Sequence, residues 1–172
     1  MRTSLLSVVT ALTTGCGITD FDLDQPLPEQ HVDGTGIPGP LAALFPLPLE
    51  LDLSARIKEQ TTGPIDRVTL SSLTLSITAT DRPSGDTDDW SFVEEIHVFV
   101  KGSQSDSTLP RIEIARTINP GAVEKIEFEV EGGVNLKPYV DEGSTVETEA
   151  RGTVPSDDVS YDGLGVFTVH PL

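Results

Sequence analysis

The stretch RVTLSSLTLSITAT, residues 67–80, carries two apolar alternations that are out of phase. Val68 and Leu70 share one parity, while Leu73, Leu75, Ile77 and Ala79 share the other. In an extended strand successive side chains point to opposite faces, so each run puts one face on a core and one in water. One extra residue at Ser71–Ser72, a β-bulge, would restore a common face. The alternative is a bend at the two serines that carries the chain from one sheet to another.

The same period recurs on both sides. LPLELDLSARIK, residues 47–58, alternates without a break: Leu47, Leu49, Leu51, Leu53, Ala55 and Ile57 against polar residues and Pro48. It is expected to be a strand. Downstream, SFVEEIHVFVKG (91–102) places Ile96, Val98 and Val100 on one side, and RIEIARTI (111–118) supplies Ile112 and Ile114. VEKIEFEVEGG (123–133) reads as one strand with Ile126, Phe128 and Val130 facing one way. STVETEARGTV (144–154) turns Val146, Thr148 and Ala150 inward, and LGVFTVH (164–170) is the last strand. VNLKPYV (134–140) is short, and Pro138 marks it as an edge or a break. The stretches between these are rich in Gly, Pro, Asp and Ser, which make turns.

Residues 21–46 differ from the rest. Their prolines lack a ladder donor and fix φ, so no long regular element is expected there. Phe21–Asp24 (FDLD) alternates and suits a short edge strand; residues 40–45 (PLAALF) suit one or two helical turns. Seven or eight strands with wet outer faces and short connections point to antiparallel pairing. Two packed sheets bury such strands at this chain length. The expected fold is therefore all-β: an antiparallel β-sandwich of immunoglobulin-like architecture, with a partly closed β-barrel as the alternative. The Cys–Trp–Cys hallmark of true immunoglobulin domains is absent, so the likeness is architectural only.

Composition narrows the partners. The 172 residues carry 28 acidic and 11 basic side chains, a net charge of −17. Nucleic acid needs clustered Lys and Arg and is a poor partner for this chain. An anionic membrane surface would repel the domain as well. Aromatics are only 5% of the residues, so the core must come from Leu, Val and Ile.

The chain opens MRTSLLSVVTALTTGCG, with Arg2 before an apolar run from Leu5 to Leu12 and small residues leading to Cys16, its one cysteine. That is the grammar of an export signal. The run is far shorter than the ~20 residues a spanning helix needs. A disulfide within the chain is excluded because there is no second cysteine. The residues LTTGC resemble the lipobox of bacterial lipoproteins: Gly15 and Cys16 match, Thr14 fits, Thr13 stands where Leu is usual, and Leu12 sits one place early. The resemblance implies cleavage of residues 1–15 as a signal peptide, a diacylglyceryl group on the Cys16 thiol and a third acyl chain on its amine. Residues 16–20 would then be a short tether and 21–172 a single domain. Gly17 in place of an aspartate implies, by the same resemblance, the outer membrane of a bacterial envelope.

Catalytic motifs are absent from the sequence. His31, His97 and His170 show no zinc-ligand spacing, and no zinc site is expected. No GxSxG or phosphate-binding glycine loop occurs. His97 falls opposite the apolar parity of its strand and is expected on a rim or in solvent. Two acidic loops are the chemical leads. SGDTDDW offers Asp86, Asp88 and Asp89, and PSDDVSYDG offers Asp157, Asp158 and Asp162. Calcium takes six to eight oxygens and is the cation such loops would hold. The two loops can share an ion only if residues 135–140 do not cross the sheet. Trp90, the single tryptophan, is a candidate for stacking on a ligand. The functional expectation is a non-enzymatic, lipid-anchored envelope protein whose sandwich binds a protein or glycan partner or serves a structural role. Calcium-dependent adhesion or carbohydrate binding is the alternative, and acid-catalysed hydrolysis by paired carboxylates a third class.

Overall fold

A computed structural model describes residues 19–34, 53–60, 63–80, 88–155 and 157–172. The leader, Cys16, residues 35–52 (with the helical turn expected at 40–45) and Asp86 lie outside these. The described chain forms eight strands and two short helices. In order they are β1 (Phe21–Val32), α1 (Ser54–Gln60), β2 (Ile65–Thr78), β3 (Val93–Gly102), β4 (Ile112–Ile118), β5 (Lys125–Glu127), β6 (Glu129–Val130), α2 (Lys137–Glu142), β7 (Ser144–Gly152) and β8 (Val159–Pro171). They make two four-stranded antiparallel sheets, ordered β1-β8-β2-β5 and β6-β4-β3-β7, not closed into a barrel. The expected sandwich is therefore the fold. Its last strand lies between the first and second, whereas the first two strands of an immunoglobulin constant domain are neighbours.

β2 confirms the bulge. Its pairing with β8 shifts register between Leu70 and Ser72, and Val68, Leu70, Leu73 and Leu75 are all buried on one side. The extra residue brings two parities to one face, and the strand stays in one sheet throughout. Across the core, Ile96, Val98 and Val100 of β3 and Ala150 of β7 face inward from the second sheet. Phe167 and Val169 of β8 meet them from the first.

Five expectations are corrected. The first concerns residues 54–58, which were expected in a strand and instead belong to the helix α1. Leu53 and Ile57 are both buried and Ile57 N–H donates to the Leu53 carbonyl (2.9 Å). Residues four apart share a parity in a strand and also share a face on a helix, so alternation alone cannot separate the two. Ala, Arg, Lys, Glu and Gln then tip this segment toward helix. Second, β1 is twelve residues long, not a four-residue edge strand. Pro26 and Pro28 are tolerated because β1 is an edge strand pairing only with β8, and both prolines are exposed. A register shift between Leu27 and Gln30 returns Val32 to the core side.

Third, residues 123–133 are not one strand. β5 pairs with β2 and β6 with β4, so the chain changes sheets at the buried Phe128. Fourth, of the two readings of 134–140 the break holds and the edge strand does not: residues 137–142 form the helix α2, with Pro138 in its first turn and Tyr139 and Val140 buried. Proline suits a first turn because its missing N–H has no helical partner there. Fifth, the loop expected at 155–163 ends at Asp158, and Val159, Ser160 and Tyr161 are buried members of β8.

The outer face of the second sheet is a charge ladder. Glu147 of β7 pairs with Lys101 and with Arg111 (Nε–Oε2 2.9 Å), and Arg111 also reaches Glu149 (2.5 Å) while lying 3.5 Å over the Phe99 ring. Hydrogen bonds from Lys101 and then Arg111 hold the Glu147 carboxyl below its ordinary value. A carboxylate depressed in the folded state adds stability above its unfolded pKa and loses it as pH falls through the folded one. Glu147→Gln is therefore expected to flatten the fall in thermal midpoint between neutral pH and about pH 3. An acid limb identical to that of the parent chain would rule out the contribution.

Candidate functional site

The sandwich has two ends. At one lie the start of β1 and the end of β8, with Phe21 opposite Val169. At the other, Val32 lies opposite Val159, Thr78 opposite Ser160, and Val93 opposite Gly152. Residues 33–34, the described part of 79–92, and 153–158 therefore gather at this second end. The described parts of both acidic loops lie at this end, because residues 137–142 form a helix and do not cross a sheet as a strand.

Sharing an end does not make the expected calcium set. Asp89 Oδ1 accepts the Ser91 backbone N–H (2.9 Å) and caps the 3₁₀ turn Trp90–Phe92. Asp162 stands exposed on β8 opposite Ser76, on the other side of the strand from the buried Tyr161. Among the described residues, Asp88, Asp89, Asp157 and Asp162 join no group of three ligating side chains. Asp88 and Asp157 are half-buried.

Trp90 is not available to a ligand. It is 0% exposed. Its ring stacks on Phe92 at 5.7 Å and meets Tyr161 edge-on at 5.4 Å. The indole N–H donates to the Glu124 carbonyl (3.2 Å), and the backbone N–H to the Val123 carbonyl (3.0 Å). The aromatic trio plugs the second end of the core. Burial raises the Tyr161 hydroxyl above its ordinary pKa.

His97, expected on a rim, stands on the outer face of β3, one-quarter exposed, with Glu113 at 2.9 Å and Glu95 at 3.6 Å. His170 Nδ1 pairs with Asp20 (2.8 Å). His31, near the end of β1, meets Asp33 and Asp158, and ligand atoms of the three lie within 4.8 Å of one another. Of the six acidic residues expected to ligate, only Asp158 belongs to such a group among the described residues. Sequence spacing gave no signal for this trio, since His31 and Ser160 beside Asp158 are 129 residues apart.

No family model and no curated protein matches the chain. Among solved structures, the chain is similar to one titled Desmodium yellow mottle tymovirus, at 13% identity over 100% of this chain and 93% of that chain, with a TM-score of 0.21. It is also similar to the empty head of turnip yellow mosaic virus, at 15% identity over 99% and 92%, with a TM-score of 0.23. Superpositions this loose transfer neither a strand order nor a site.

Proposed function

We propose that this chain is a lipid-anchored protein of a bacterial envelope, held at the outer membrane through Cys16, with its sandwich acting as a non-catalytic binding or structural module. The leader supports this reading: an n-region, a short apolar run and LTTGC in the required order. The start of β1 sets what such an anchor would do. Phe21 follows Cys16 by five residues, a span of at most ~18 Å when fully extended. An acylated Cys16 would therefore hold the β1-start end of the sandwich close to the bilayer. The second end, roughly 36 Å away along twelve residues of β1, would face outward toward a partner. Acyl chains must do the attaching, because a domain of net charge −17 is repelled by anionic headgroups within a Debye length.

Intact-mass analysis of protein extracted from the membrane fraction tests this directly. The expected mass lacks residues 1–15 and carries two or three acyl chains, about what stable anchoring needs. Cys16→Ala is expected to remove the adduct. A native chain that keeps residues 1–15, or a mature one with an unmodified Cys16, would end the proposal.

A further inference from the structure

Four residues form a square on the paired ends of β1 and β8. His31 lies opposite Ser160 and Val32 opposite Val159, so continuing the register sets Asp33 opposite Asp158. Side chains two apart on a strand share a face. His31 and Asp33 therefore stand beside Asp158 and Ser160 on one side of the ribbon. Asp33 and Asp158 stand just beyond the last paired residues and come together around His31, two carboxylates that repel each other in a chain that already carries −17. The arrangement makes sense if a cation sits between them.

Several contacts aim the donors inward. His31 Nε2 lies 3.2 Å from Asp33 Oδ1 and 3.9 Å from Asp158 Oδ2. The other ring nitrogen, Nδ1, is 3.1 Å from the hydroxyl of the buried Ser160. With the proton on Nδ1 donating to Ser160, Nε2 presents its lone pair toward both carboxylates. Such an outer-sphere bond commonly fixes the tautomer of a metal-bound histidine. Asp158 is steadied by the Gly34 N–H, which donates to its Oδ1 (2.9 Å). Gly34 packs so closely on the Asp157 backbone that a Cβ there would lie 2.0 Å from the Asp157 carbonyl carbon. The glycine thus lets the segment after β1 lie against the one before β8.

We propose that His31, Asp33 and Asp158 form a binding site for a divalent cation of the zinc class, with imidazole Nε2 and one oxygen of each carboxylate as ligands. Zinc takes nitrogen and carboxylate oxygen at about 2.0–2.2 Å in a tetrahedron, which separates ligand atoms by roughly 3.3–3.6 Å. The two distances from His31, 3.2 and 3.9 Å, bracket that value, and the three ligand atoms all lie within 4.8 Å of one another, so side-chain rotations close the site. Three protein ligands leave the fourth position to water or to a donor from a partner. Calcium is disfavoured, because it prefers six to eight oxygens and an imidazole supplies none. The proposal does not depend on the lipid anchor.

Zinc titration of the purified chain, followed on the ring-proton resonances of its three histidines, tests the site. The His31 resonance is expected to shift to saturation at one equivalent, with His97 and His170 unmoved and calcium without effect. Asp33→Asn changes an exposed side chain and leaves the fold intact; it and Asp158→Asn are expected to abolish the shift. Ser160→Ala is expected to weaken zinc binding by roughly 10–100-fold. The proposal is overturned if His31 is unmoved up to ~1 mM zinc, if Asp33→Asn and Asp158→Asn bind as tightly as the parent, or if calcium gives the same shift.

Discussion

Trp90→Ala is expected to cost about 3–5 kcal/mol of unfolding free energy, the largest effect of any single substitution considered for this chain. The reason is its position. Trp90 has no exposed surface, and it closes the second end of the core against Phe92 and Tyr161. Alanine would leave a cavity the size of an indole in a place the sandwich cannot collapse, because the 3₁₀ turn is pinned by the Asp89 cap and by the Val123 carbonyl. Domains are stable by only about 5–15 kcal/mol, so this one change would remove roughly a fifth or more of the total. Urea unfolding measures it: the midpoint should fall while the slope stays the same. Trp90→Phe fills most of the volume and loses the indole hydrogen bond, but the Glu124 carbonyl keeps the Ile77 N–H (2.8 Å), so the lost bond costs only about 0.5–1.5 kcal/mol. If Trp90→Ala costs less than about 1 kcal/mol, the indole does not plug this end of the core.

The second large effect is expected at Gly152, the last residue of β7. Its φ is +149°, a region that side-chain-bearing residues rarely adopt. A Cβ there would lie 2.2 Å from the backbone carbonyl oxygen of Phe92. That oxygen accepts the Thr153 N–H (2.9 Å), so it cannot swing away without losing a ladder bond. Backbone strain of this kind costs roughly 1–3 kcal/mol, and the contact adds to it. Gly152→Ala should therefore lower the urea midpoint clearly. Gly132→Ala is the control, because nothing lies within 4 Å of its Cβ position; it should stay within about 0.5 kcal/mol of the parent. Equal effects at the two glycines would show that the β7–β3 corner is looser than these distances imply.

Both positions bear on function through the second end of the molecule. Trp90 and the Gly152 corner support the loops that carry Asp88, Asp89, Asp157 and Asp158. Asp33 and Asp158 flank the β1–β8 ribbon at that same end. A variant that loosens the core plug should therefore weaken zinc binding indirectly, whereas Asp33→Asn should abolish it at unchanged stability.

The amino-acid sequence by itself determined what depends on near neighbours. Period-2 alternation in residues 68–79, 96–100 and 164–169 is strand-forming wherever one face can be buried, and the bulge at Ser71–Ser72 was legible because two parities must be reconciled within one segment. Antiparallel two-sheet packing then follows from half-wet strands with short connections. Tertiary structure decided everything that turns on which elements meet. Leu53 and Ile57 fit a helix or a strand equally well, and packing chose the helix. Pro26 and Pro28 stand within β1 only because the sheet ends there, and 125–130 split because β2 and β4 each had an edge to offer. The aspartates of the two acidic loops read alike in the sequence, yet one caps a turn, one faces solvent from a strand and one meets a distant histidine. A side chain's chemistry is local, but its partners are set by strand register across the whole chain, which no single segment encodes.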